Sequence, residues 1–388
     1  MPILLRLRPF FLIVPLCLAT LPTTARAENV PGPVRLLVPP VIPAVVGREC
    51  NLYFDNVSLV INPANWVFDV DSPRGSQQAE RWTWTPTPAD VGDHPFLLQV
   101  LNQENQIVAS ARSVVRVVPA DRNAGNPLSL LCIGDSLTHA SQYTQHLLDL
   151  SAQPGNPQLQ LVGSHWRGEP NPNRHEGYGG WTARRFATHF AEPARSGMHP
   201  HRGSPFLYPD AAGKPQLDFT RYCQDVNQGK FPDVVTIFLG PNDIFNNNDQ
   251  TIEGSIDDML QNLDLLIEMI RRNNEVSKIA LMLAVPPAAT QDAFGANYGS
   301  GNTRWQYKRN QHRLLERMIE KYSNQEPQRL YLVPTHINLD CLHNYPAATL
   351  PPNANTETPI TRLNNGVHPA QSGYHQIADT LFAWLKSL

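Results

Sequence analysis

After Pro127 the chain alternates between wholly apolar runs and segments of helical periodicity, and this alternation constrains the fold more than any other feature. Residues 128–133, 159–162, 233–239, 278–285 and 330–333 have strand length and no polar face. Residues 138–151, 183–190, 252–272, 304–322 and 370–385 read as helices. The clearest is 252–272, where Ile256, Met259, Leu260, Leu263, Leu266, Ile267 and Ile270 recur at helical spacing. Strands apolar on both faces must be covered on both faces. The expectation is therefore a five-stranded parallel sheet between two layers of helices, an α/β/α sandwich. Right-handed crossovers make it doubly wound, and in such sheets chemistry gathers beyond the carboxyl ends of the strands.

Residues 34–119 follow another pattern. Short β-rich runs at 36–38, 45–46, 52–54, 81–85, 96–101 and 113–118 are separated by Pro, Gly, Asn and Asp. Trp82 and Trp84 alternate with Thr83 and Thr85, as on a half-buried strand. About seven short strands in this length point to a small all-β, immunoglobulin-like sandwich. Residues 120–127, polar and bearing Gly125 and Pro127, read as a linker.

The first residues belong to targeting. Arg6 and Arg8 precede an apolar stretch over 9–21, and Ala25-Arg26-Ala27 has the small-x-small form of a cleavage site. This is the pattern of a signal peptide over 1–27, and it implies an exported protein, periplasmic or secreted, starting near Glu28. A membrane anchor fits less well, because the run is short and contains Pro15. No insertion into a membrane is expected after cleavage. The expected organisation is thus a leader over 1–27, a β domain over 28–119, a linker over 120–127 and the α/β domain over 128–388. Of the remaining cysteines, Cys132 lies in an apolar run and reads as a buried free thiol. Spacing leaves a Cys223–Cys341 bridge open.

Four segments carry chemistry, each at the end of a strand or the start of a helix. Gly134-Asp135-Ser136-Leu137-Thr138 closes the first strand and opens a helix, so the Ser136 hydroxyl would sit at the mouth of the sheet with its own N–H among the free donors of a helix start. A serine that only caps the helix would look the same. Gly240-Pro241-Asn242-Asp243 follows the third strand, where Asn242 can donate to an oxyanion or simply make a turn. Glu176–Thr182 contains Gly179-Gly180, which lets backbone approach a ligand; the Gly180 N–H is a third candidate donor. Asn365-Gly366-Val367-His368-Pro369 precedes the last helix and offers His368 as the base that a serine hydroxyl needs. The chain has 13 histidines, so position rather than residue type singles this one out.

In this order these segments resemble the four marks of the SGNH (GDSL) hydrolase superfamily: serine, glycine, asparagine and histidine, here Ser136, Gly180, Asn242 and His368. The resemblance runs from about Leu128 to the end of the chain. It implies a flavodoxin-like fold and a serine esterase. Ser136 would be the nucleophile and His368 the base, with Ser136, Gly180 and Asn242 forming the oxyanion hole. Such hydrolases usually have Asp three residues before the histidine, whereas this chain has Asn365. Three arrangements are open: Asn365 or a backbone carbonyl accepts the imidazole N–H, Asp340 supplies a charge, or the enzyme is weakened.

The segment 165–219 is long for a strand connection and holds Trp166, Arg167, Tyr178, Trp181, Arg184, Arg185, Phe206 and Tyr208. Aromatic rings beside polar groups suit sugars, so Tyr178, Trp181 and Asp135 are candidate substrate contacts; the same rings could instead pack the loop. The resemblance implies a short acyl group, such as acetyl, on carbohydrate. The mechanism requires no metal or cofactor; His199 and His201 form an H-x-H pair without further ligands at metal spacing. A formal net charge of -3 gives no electrostatic case for nucleic acid. An acyltransferase using the same serine and a non-catalytic carbohydrate-binding protein are the rival readings.

Overall fold

The computed structural model describes residues 34–192 and 203–388; the leader over 1–27, His199 and His201 lie outside them. Five parallel strands form the central sheet. In spatial order they are Gln158–Val162, Pro127–Gly134, Val234–Phe238, Lys278–Met282 and Leu330–Val333. A two-residue strand, Glu176–Gly177, pairs with the last residues of Pro127–Gly134 on the same edge as Gln158–Val162. Numbered by sequence, the five long strands run 2-1-3-4-5, the order of flavodoxin-like folds. The order reverses between Pro127–Gly134 and Val234–Phe238, so a crevice opens at their carboxyl ends.

Period-two alternation divides the strands between two cores. Leu131, Ile133, Val235, Ile237, Ile279 and Leu281 face the layer that includes helices Ala183–Thr188, Phe219–Asn227, Ile252–Arg271 and Arg304–Tyr322. Leu130, Cys132, Val234, Phe238, Ala280 and Met282 face helices Gln142–Ser151 and Gln371–Ser387. One expected helix is divided. Ser136–His139 and Gln142–Ser151 are separate because Ser141 takes a left-handed backbone, φ 61°. Phe219–Asn227 and Gln291–Asn297 are helices that the periodicity did not reveal.

The amino-terminal part is a seven-stranded two-sheet sandwich. One sheet runs Val41–Val45, Ile107–Val118, Gly92–Leu101, Val67–Asp71; the other runs Cys50–Tyr53, Arg81–Trp84, Ser76–Gln77. Trp82, Phe96, Leu98 and Val115 fill the space between them. Two expectations need correction. Residues 36–38 make only an isolated bridge, Leu36 to Ser58, and Leu37 packs into the α/β core instead. Val67–Asp71 gave no strand signal because Phe68 is its only buried side chain.

The two parts share a hydrogen-bonded seam. Tyr53 N donates to Ile337 O at 3.0 Å. Asn56 Nδ2 donates to His336 O and Leu339 O at 2.9 and 2.8 Å. Asp55 pairs with Arg304 and with the buried Lys308. The four described cysteines are free and buried, so the Cys223–Cys341 bridge left open by spacing does not form; Cys341 Sγ instead contacts Asn56 Oδ1 at 3.4 Å.

Candidate active site

Ser136 opens a one-turn helix directly off the first strand, with Asp135 as its cap; Asp135 Oδ1 accepts the Leu137 N–H at 2.9 Å. The turn is tight enough to demand glycine behind it. A Cβ on Gly134 would lie 2.0 Å from Thr138 Oγ1 and 2.9 Å from Phe238 O. Asn242 belongs to the matching one-turn helix Pro241–Ile244 after the third strand. The strand-order reversal therefore brings Ser136 and Asn242 to the same crevice.

His368 comes from the other end of the chain. Its Nε2 is 2.8 Å from Ser136 Oγ. Burial lowers the His368 pKa below the ordinary imidazole value, and no neighbouring charge offsets that effect. A neutral Nε2 accepts the serine proton, so the pair is arranged for general-base activation.

The structure places the expected supports of His368 elsewhere. Asn365 Oδ1 accepts the backbone N–H of Val367 at 3.1 Å and of His368 at 2.8 Å. Asn365 thus shapes the turn and does not hydrogen-bond the imidazole; a single acceptor closing two backbone donors leaves the ring to be aimed by its backbone. Asp340 accepts from His343 Nδ1, Tyr53 Oη and the backbone N–H groups of Leu342 and His343. It is committed to that corner and makes no bond to His368.

The three candidate oxyanion donors stand in different states. The Ser136 N–H lies at a helix start. Gly180 is exposed, has φ 75°, and a Cβ there would meet nothing within 4 Å. Asn242 Nδ2 donates to Asp135 Oδ2 at 3.3 Å and to Trp181 O at 3.2 Å, both long bonds, so its amide is held beside the serine turn at rest. Burial pushes the Asp135 carboxyl up to about 7. Asp243 is likewise pushed up to about 7, mainly by burial; its Oδ1 accepts the Ala183 N–H at 3.1 Å while Oδ2 has no partner.

Tyr178, Trp181 and Asp135 are 0 % exposed and do not present their side chains to a substrate. The rings serve the loop instead. Trp181 packs against Tyr178 and Phe186 at 5.0 and 4.9 Å. The Tyr178 hydroxyl donates to Glu176, a buried carboxylate that also accepts from Tyr222 Oη at 2.7 Å and Ser164 N at 2.6 Å. Phe206 is buried as well, and the outer rings Trp166 and Tyr208 lie under the guanidinium groups of Arg174 and Arg221.

Sequence reasoning missed the network beneath this loop. His175 Nδ1 accepts the Gly177 N–H at 3.0 Å, which places the proton of the neutral ring on Nε2, donating to Ser141 Oγ at 2.8 Å. Burial keeps His175 well below the ordinary imidazole pKa. His165 Nε2 lies 3.0 Å from His139 Nδ1, on the turn after Ser136. No local spacing signals this grouping, because its members come from three separate segments. Among the described residues, no three His, Cys, Asp or Glu side chains could hold a metal ion, and no helix is long and apolar enough to cross a membrane.

The profile of the GDSL-like lipase/acylhydrolase family matches residues 130–381, which include all four marks. The chain belongs to this family. It is accordingly a carboxylic ester hydrolase of the GDSL type. Solved structures similar to it include a putative arylesterase from Agrobacterium tumefaciens str. C58, at 16% identity over 67% of this chain and 99% of that one, TM-score 0.36. A carbohydrate acetylesterase family member from Sinorhizobium meliloti is similar at 14% identity, over 67% and 98% of the two chains, TM-score 0.36. An inhibitor-bound aryl esterase from M. smegmatis is similar at 13% identity, over 67% and 99%, TM-score 0.37. No curated protein matches the chain at the significance required. This GDSL hydrolase departs from the usual pattern at Asn365, and the turn geometry described above is what stands in that place.

Proposed function

We propose that this protein is an exported esterase that removes short acyl groups, acetyl above all, from carbohydrate, through an acyl-enzyme on Ser136. The observation that carries the reading is the 2.8 Å contact between His368 Nε2 and Ser136 Oγ across 232 residues of sequence. Ser136 Oγ attacks the ester carbonyl as its proton passes to His368. The Ser136 and Gly180 N–H groups and the Asn242 amide hold the oxyanion, Asn242 turning one of its long resting bonds toward it. Collapse expels the alcohol, which takes the proton from His368. Water then attacks the acyl-enzyme with His368 again as base, and the acid leaves. Asn365 is a positioning residue in this scheme, since it acts through the backbone of residues 367 and 368.

Export is supported by the leader pattern over 1–27. The two-sheet arrangement of the amino-terminal strands supports an immunoglobulin-like domain over 28–119, with residues 120–127 leading into the hydrolase domain over 128–388. Hydrolysis of 4-nitrophenyl acetate, lost in Ser136→Ala, and labelling of Ser136 by an alkyl fluorophosphonate test the chemistry. Release of acetate from acetylated oligosaccharides tests the substrate class. Full hydrolysis by the folded Ser136→Ala protein would overturn the proposal.

A further inference from the structure

A cleft of about 320 Å³ adjoins the segments that carry Asn242 and His368, within the size range of small-molecule sites. It is tied to the reaction centre on two sides. Phe245 directly follows the turn that carries Asn242. Phe294 packs against the chain leading to His368: a Cβ on Gly366 would fall 2.6 Å from its ring, and Phe294, Tyr307 and Val367 form one buried cluster.

The lining chemistry is selective. None of the lining side chains is charged, and five of them are carboxamides, beside Thr303. Several of these amides keep unspent hydrogen-bonding capacity. Asn246 is exposed and its side chain makes no hydrogen bond among the described residues. Asn248 uses only its Oδ1, for Gln250 N and Thr251, leaving Nδ2 open. Gln306 uses Nε2, for Asp249 and Asn310, leaving Oε1 open. Asn302 likewise keeps Oδ1. Both donors and acceptors are therefore on offer, next to the half-buried ring of Phe245, which is backed by Tyr298 at 4.8 Å and Tyr307 at 5.6 Å.

An acyl chain or lipid tail in this cleft would strip water from the open groups of Asn246, Asn248, Asn302 and Gln306 without replacing their bonds, which is unfavourable. An ionic ligand would find no opposite charge. A neutral sugar ring meets both demands, with C–H faces for Phe245 and hydroxyl groups that donate and accept. We infer that this cleft is a subsite for an uncharged sugar residue next to the acylated one, read by Asn246, Asn248, Asn302 and Gln306 and seated on Phe245. The inference rests on the esterase proposal for its reaction but not for its binding.

The test compares two substrates on the full-length exported protein: 4-nitrophenyl acetate, too small to fill the cleft, and a mono-acetylated neutral oligosaccharide of about four sugars. Phe245→Ala and the double variant Asn246→Ala/Asn302→Ala should each raise KM for the oligosaccharide about tenfold or more, with kcat and aryl acetate turnover changed less than about twofold. Binding of the unacetylated oligosaccharide to Ser136→Ala, measured by calorimetry, should weaken in parallel when Phe245→Ala is added. Equal losses on both substrates, or none on the oligosaccharide, would overturn the subsite. Aryl acetate turnover that survives Ser136→Ala would instead refute the esterase proposal, while the calorimetry would still decide the subsite.

Discussion

On the serine side of the site, the chain from Gly134 to Trp181 is tied down by buried bonds: the Asp135 cap, the His175 bridge between Gly177 and Ser141, and Glu176 gathering Tyr178, Tyr222 and Ser164. On the histidine side, His368 stands on a half-buried turn closed by one side chain, Asn365, tied by the Ala288 N–H to Gly366 O and wedged from behind by Phe294. The first support is a network whose members hold one another. The second is a local turn with no carboxylate behind the imidazole. The difference teaches that the Ser136 turn is held by a packed network, whereas the His368 imidazole is aimed by backbone geometry and its pKa is lowered by burial.

Substitutions on each side can break that contrast. The largest effects belong to the reacting pair: Ser136→Ala or His368→Ala should each lower kcat for an aryl acetate by about 10⁴–10⁶-fold with the circular dichroism spectrum unchanged. Asn242→Ala comes next, lowering kcat by about 10²–10³-fold with little change in KM, as expected for a donor that matters once the oxyanion forms. A main effect on KM would show that its bonds to Asp135 and Trp181 only shape the ground state.

Asn365 gives the sharpest distinction between the two kinds of support. Asn365→Ala removes a cap of the sort that contributes about 1 kcal/mol, and kcat/KM should fall about tenfold as the turn loosens. Asn365→Asp keeps an acceptor for both N–H groups, so activity should persist. The added negative charge should raise the His368 pKa and move the acid limb of kcat/KM up by about one pH unit. If Asp and Ala lose activity alike, the turn is not what positions the imidazole.

The smallest effect is in the wild-type pH profile. The base must be neutral, so kcat/KM falls as pH drops through the His368 pKa. Because burial lowers that pKa, the limb should lie below the ordinary imidazole value of about 6.5. A limb above that value would mean that a carboxylate stabilises the imidazolium after all.

Much of this was legible beforehand. Residues 304–322 and 330–333 match their observed elements residue for residue, since long periodic or wholly apolar runs leave little choice. Ser136, Asn242 and His368 stand out as candidates because each lies in a short motif at an element boundary. Of the two uses open to Tyr178 and Trp181, substrate contact or packing of the loop, the structure has both rings buried in the packing. An aromatic residue in a glycine-rich loop looks the same in sequence whether it faces solvent or fills the core, and only packing against Phe186, Phe206 and Tyr222 decides that it is buried.

By itself, then, the sequence determined the strand-and-helix alternation, the two-part organisation and the residue types that could react, because hydrophobic periodicity and turn chemistry act over a few residues. Only the tertiary structure decided that His368 Nε2 comes within 2.8 Å of Ser136 Oγ, that Asn365 bonds backbone rather than imidazole, and which aromatic rings are core. Those outcomes depend on distances between segments up to 232 residues apart, set by the strand order and the packing of both helical layers.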